Sequence, residues 1–186
     1  MKSRIITIAG ALGSGKSSAA KKLAVELGYT HFSSGDLFRS IAGERGISIE
    51  EINKQAELEH EIDLAVDQRL RDLASENDFV IDSRIAYHWI PTSFRVYLNL
   101  SPQIAAERIF AHIQAGERVH EEAESAEAVL ESIISRKASE QKRYLNLYNI
   151  DVLDLTPFDL VIDTETKNLD RVTTEVLETY TNWLGN

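Results

Sequence analysis

The sequence contains no cysteine, only three prolines and a single methionine. Without cysteine, disulfides and thiolate metal sites are excluded, which suits a reducing compartment. Long apolar runs are also missing. No window approaches the roughly 18 residues of a membrane span, and the opening MKSRIITIAG has too short an apolar run for a signal peptide. The expectation is a cytoplasmic protein with no membrane partner. Positive charge is scarce too: 20 Lys and Arg stand against 30 Asp and Glu, a net charge of −10. That balance argues against a general nucleic-acid binder, which needs a basic face. Any anion site must come from arginines gathered in one cleft. The five histidines show no close metal-ligand spacing.

What is present is a chain of 186 residues, 43% of them apolar, enough for one sizeable core. No repeat or low-complexity linker divides it, so a single domain over 1–186 is expected. Arg4–Ile8 reads as a buried strand and Lys16–Leu27 as a helix, with Ala20, Leu23, Ala24 and Leu27 on one face and Gly28 at its end. A short strand at Tyr29–Phe32 and a helix at Gly35–Gly43 follow. Ser48 and Glu51 form a capping box that opens one or two helices leading to a strand at Phe79–Asp82. Phe94–Leu100 is a further strand. Ser101 with Pro102 starts a helix to about Ala115, and Ser125 caps a long helix through Tyr148. Asp159–Asp163 is the last strand, and Asn168 caps a final helix ending near Leu184. Trp89 and the YLNLY aromatics read as core. Strands alternating with helices imply a mainly parallel sheet covered on both faces.

Between the first strand and the first helix lies GALGSGKS, which meets the pattern G-x-x-x-x-G-K-S at Gly10, Gly15, Lys16 and Ser17. Glycines at 10, 13 and 15 let the backbone, with Ser14 and Ser18, turn its N–H groups inward. The following helix N-terminus adds partial positive charge. ATP is the expected occupant: Lys16 would reach the β- and γ-phosphates and Ser17 would offer its hydroxyl to Mg²⁺. Asp82, at the end of a strand, is either a residue that orients the metal or its waters, or a strand-end cap.

SSGDLFR, Ser33 to Arg39, lies just beyond the second strand, and SRKASEQKRYLNLYNIDVLDLTPFDLVIDT fills the second half. With the phosphate loop, these stretches resemble the nucleoside monophosphate kinases, most closely the cytidylate kinases of archaeal type, over nearly the whole chain. The resemblance implies a three-layer α/β/α P-loop fold with a five-stranded parallel sheet and a helical lid. It also implies transfer of a phosphoryl group from ATP to a nucleoside monophosphate, CMP or dCMP, with Mg²⁺.

By the same resemblance, Ser34 and Arg39 meet the acceptor's sugar and phosphate, within acceptor-binding helices spanning 33–75, and Arg84 clamps that phosphate. Arg108 stacks on the donor base. Arg136, Glu140 and Arg143 bridge the transferred phosphate and the acceptor nucleoside. Their spacing of i, i+4 and i+7 places all three on one helix face, but taken by itself fits an exposed salt-bridge ladder equally well. The polar, acidic segment 115–127 between the two arginine-bearing helices is the expected lid, with Arg118 its one arginine.

The chain departs from the family pattern at Ala11-Leu12, where relatives often carry two prolines, and at Ser83, where they usually have glycine. Rival readings are a kinase for another small acceptor, such as AMP, UMP or a nucleoside, and a nucleotide-binding protein without transfer activity. A GTPase switch is disfavoured by the absence of an Asn-Lys-x-Asp motif.

Overall fold

The computed structural model describes residues 2–58, 61–116 and 123–185. At its centre is the apolar run IITIAG, β1 (Ile5–Gly10), every residue of which is buried. β1 pairs in parallel with β3 (Phe79–Asp82) on one side and β4 (Phe94–Asn99) on the other. β2 (Thr30–Ser33) and β5 (Leu160–Asp163) complete a five-stranded sheet of order β2-β3-β1-β4-β5, parallel throughout.

Alternation along β1 sends its side chains to opposite faces. Ile6 and Ile8 join Ala20 and Leu23 of α1 (Lys16–Leu27) and Val172, Val176 and Tyr180 of α8 (Leu169–Gly185). Ile5 turns the other way, onto Val66, Leu70 and Leu73 of α4 (Glu61–Leu73) and Ala86 of α5 (Ala86–Trp89). The result is three layers, as expected. Fully burying aliphatic side chains of this kind contributes about 1.5–3 kcal/mol each.

α2 (Ser34–Arg45) and α3 (Ile49–Leu58) precede α4, packing Ala42, Ile52, Ala56 and Ile62 together. α6 (Pro102–Gln114) lies against α7 (Ala126–Tyr148) through Ala106, Ile109, Val129 and Ile133. Among the described residues no helix is long and apolar enough to cross a membrane.

Several caps match their sequence signals. Ser48 and Glu51 exchange both capping-box bonds, at 2.8 and 3.1 Å. Ser125 accepts from the Ala128 N–H, and Asn168 from that of Arg171. Other elements shift. β1 runs to Gly10 rather than Ile8, because Gly10 still pairs with Leu98. α2 begins at Ser34 on a Ser33 cap and passes Gly43 to end at Gly46. Ser101 occupies the cap position of α6, yet its side chain makes no cap bond. α5, a single turn, was not expected. Of the segment 115–127, residues 117–122 lie outside the described residues, and Arg118 with them.

Candidate active site

In an open parallel sheet, ligands bind beyond the carboxyl ends of the strands, where the strand order reverses. Here that point is β1, flanked by β3 and β4. The segments leaving β1, β2 and β3 converge on a cleft of about 270 Å³. They bring the phosphate loop, Ser34 with Arg39, and Asp82 with Arg84.

The loop is shaped by backbone sterics. A Cβ on Gly10 would lie 2.8 Å from the Leu98 backbone nitrogen and closer still to its carbonyl oxygen. Gly15 caps α1 at φ 83°, in the left-handed region where only glycine is unstrained. Gly13, Gly15, Lys16, Ser17 and Ser18 line the cleft. Gly10 and Ser14 stand behind it. The Gly10 carbonyl accepts from Lys16 and Arg84, and the buried Ser14 hydroxyl donates to the Ala11 carbonyl at 2.8 Å. Lys16 Nζ donates to the Gly10 and Ala11 carbonyls at 3.0 and 2.6 Å. Burial, reinforced by the Arg84 charge, holds its ammonium well below the ordinary lysine pKa. An added polyanion would reverse that balance.

Arg84, Arg136, Glu140 and Arg143 also meet in the cleft wall. The Glu140 carboxylate accepts from Arg84 Nε at 2.7 Å and from Arg136 Nε at 3.1 Å. Burial alone would raise its pKa; the Arg84 and Arg136 charges outweigh that and hold it below the ordinary value. Arg143 pairs with Asp63 of α4, Nε to Oδ2 at 3.0 Å. Beside it, burial pushes the Tyr144 hydroxyl up to about 12. Glu140 and Arg143 are buried and each pairs with a residue outside α7, Arg84 and Asp63, so an exposed ladder does not describe the arrangement, although Arg136 itself stays partly exposed.

Arg39 lines the cleft and pairs with Asp36 one turn earlier. Ser34 donates to the Asp82 carbonyl at 3.4 Å. Arg108 lines the cleft from α6, its Nη2 donating to the Thr164 and Glu165 carbonyls at 2.8 and 2.9 Å. Ser83 is buried in the wall beside Arg84.

Asp82 accepts from the Ser33 hydroxyl at 2.8 Å and faces His31 Nε2 at 3.0 Å. Each carboxylate oxygen therefore keeps a lone pair. Ser17 and Asp82 share the cleft, and no cluster of three or more protein metal ligands occurs among the described residues. One hydroxyl and one carboxylate fit a hard cation that draws its other ligands from phosphate oxygens and water, as Mg²⁺ does.

Sequence reasoning missed His31, Ser33 and Asp63. For Asp63 a signal existed. It falls within the apolar stripe of Ile62, Val66, Leu70 and Leu73, where a carboxylate needs a partner.

Fold and cleft together define a phosphate-loop kinase. The AAA domain family matches residues 9–108. Among curated relatives, the cytidylate kinase of Pyrococcus furiosus is 37% identical over 169 residues, covering 90% of this chain and 83% of its own. That of Natronomonas pharaonis is 39% identical over 172 residues, covering 90% and 84%. The solved shikimate kinase of Bacteroides thetaiotaomicron superposes with a TM-score of 0.63 at 14% identity, over 95% of this chain and 98% of its own, a likeness of fold alone. The chain belongs to the cytidylate kinase family.

Proposed function

We propose that this protein transfers the γ-phosphoryl group of ATP to CMP or dCMP, giving ADP and the corresponding diphosphate. The observation that carries the reading is one cleft in which the phosphate loop with Lys16 faces Arg39, Arg84, Arg136 and Arg143. Such a site has two anionic substrates to hold, and the cytidylate kinase relatives support ATP and CMP or dCMP as those two.

Phosphoryl transfer asks little covalent chemistry of a protein; alignment and charge neutralisation dominate. The loop N–H groups and Lys16 hold the donor phosphates. Ser17 and Asp82 would hold Mg²⁺, which would neutralise phosphate charge, with His31 and Ser33 fixing the Asp82 carboxylate. Arg108, braced by the Thr164 and Glu165 carbonyls, offers a planar cation to the donor base. Ser34 and Arg39 take the acceptor's sugar and phosphate, and Arg84 with Arg136 and Arg143 clamps the phosphates between the substrates. Glu140 braces Arg84 and Arg136 and presents a carboxylate edge to the acceptor nucleoside. The acceptor helices span 33–75, and 115–127 serves as the lid that excludes water.

A coupled ADP-release assay over a panel of nucleoside monophosphates, with ATP alone as control, tests this reading. Release stimulated most by CMP or dCMP is expected. Equal release without any acceptor would reduce the protein to an ATPase.

A further inference from the structure

α4 carries two buried carboxylates one turn apart, Asp63 and Asp67, 3% and 2% exposed. Neither lines the cleft. Asp67 accepts from the Trp89 indole N–H at 3.0 Å and from the Tyr148 hydroxyl, tying α4 to α5 and to the end of α7. Those neutral donors satisfy Asp67 without help from the active site. Asp63 differs: its partner is Arg143, a member of the cleft wall. Both side chains of that pair are only 4% exposed.

The Arg143 fork is divided. Nε and Nη1 are sealed from solvent and make no hydrogen bond among the described residues, although Nε stands 3.0 Å from the Asp63 carboxylate. The edge carrying Nε therefore lies on the Asp63 side, while the residue as a whole still reaches the cleft. A guanidinium removed from water needs a compensating charge, and a planar fork recognises phosphate only at a defined angle. Glu140 is bonded by Arg84 and Arg136, while among the described residues Asp63 is the carboxylate in ion-pair contact with Arg143.

We propose that Asp63 is a positioning residue for the acceptor: its carboxylate holds Arg143 from the sealed side, fixing the orientation in which the guanidinium meets the acceptor's anionic group in the cleft that the residue lines. The inference rests on the reading of Arg143 as an acceptor-side residue. Because α4 follows the acceptor-side helices α2 and α3, the pair also links their packing to the arginine on α7. Asp67, which among the described residues is bonded to Trp89 and Tyr148 and not to a cleft arginine, supplies a matched control on the same helix.

The test compares Asp63→Asn with Asp67→Asn in the full chain, reading steady-state constants and, by calorimetry without ATP, the CMP dissociation constant. Asp63→Asn is expected to weaken CMP at least tenfold in both KM and Kd, with the ATP KM within twofold. Asp67→Asn is expected to lower the melting temperature while leaving CMP binding within twofold.

Equal weakening of CMP by both variants, or an unchanged CMP Kd in Asp63→Asn, would overturn the proposal. Should Asp63→Asn fail to fold, Asp63→Glu, which keeps the charge on a longer arm, is judged by the same selective loss of CMP affinity. Failure of both to fold would make the pair structural and also overturn it. Wild-type protein that neither binds nor phosphorylates CMP would instead remove the underlying functional reading.

Discussion

Arg84 Nε lies 2.7 Å from Glu140 Oε2, joining the segment after β3 to the middle of α7 across the cleft. Arg136 holds the other Glu140 oxygen at 3.1 Å, and Glu140 is 8% exposed. Exposed pairs contribute at most about 1 kcal/mol. Removing one partner from a buried network leaves uncompensated charge and costs about 3–5 kcal/mol. Glu140→Ala should lose stability in that larger range and raise the CMP KM far more than the ATP KM. Denaturant melts with both KM values check this. A loss near 1 kcal/mol with unchanged CMP kinetics would return the residue to an ordinary surface pair.

Lys16 is aimed by two loop carbonyls rather than by core packing. Lys16→Ala should lower kcat by about 100-fold or more, in line with losses on removing one charge-stabilising donor. Circular dichroism should be unchanged. Turnover within a factor of a few of wild type would contradict the role assigned to this lysine.

Gly10→Ala should fail for a different reason. The added methyl meets Leu98 backbone, which cannot swing away as a side chain would. Overpacking of this kind costs about 1–3 kcal/mol or more, and relief requires β1 and β4 to part next to the loop. Both the melting temperature and ATP affinity should fall together. Retention of both would show that the loop does not depend on this close approach.

Two buried carboxyls should respond to acid in opposite senses. Glu140 is held below its ordinary value because the Arg84 and Arg136 charges outweigh burial. Its contribution to stability is therefore present above the ordinary glutamate value and is lost as pH falls through the lowered one. Asp67 is raised above 3.8 by burial, against the bonds from Tyr148 and Trp89. Its contribution is complete below 3.8 and declines as pH rises through the raised value. On acidification, wild type should lose its margin over Glu140→Gln and widen its margin over Asp67→Asn. Denaturant midpoints measured from neutrality to about pH 3.5 give both signs.

The elements that were legible in the sequence are those set by local chemistry. Lys16–Leu27 was readable end to end, because its apolar spacing and Gly28 lie in one contiguous stretch. The Ser48–Glu51 box likewise needs only its own four residues. α5 was not readable, since four residues are too few for a helical period and AYHW takes its place from packing under α4. In the cleft, the phosphate loop and the cleft arginines were visible from motif and resemblance. His31 and Asp63 were not, because their partners Asp82 and Arg143 are far away in sequence. The face of α7 shows the same limit. Spacing put Arg136, Glu140 and Arg143 together, but only the approach of Arg84 and Asp63 makes it a buried network.

The proposed reaction carries the phosphoryl group leaving ATP to CMP or dCMP. It is tested most directly by incubating the protein with γ-labelled ATP, Mg²⁺ and each nucleoside monophosphate, then separating the products. Label should appear in CDP or dCDP, in step with ADP formed, and should vanish with Lys16→Ala. Label recovered only as inorganic phosphate, or carried preferentially to AMP or UMP, would contradict the account.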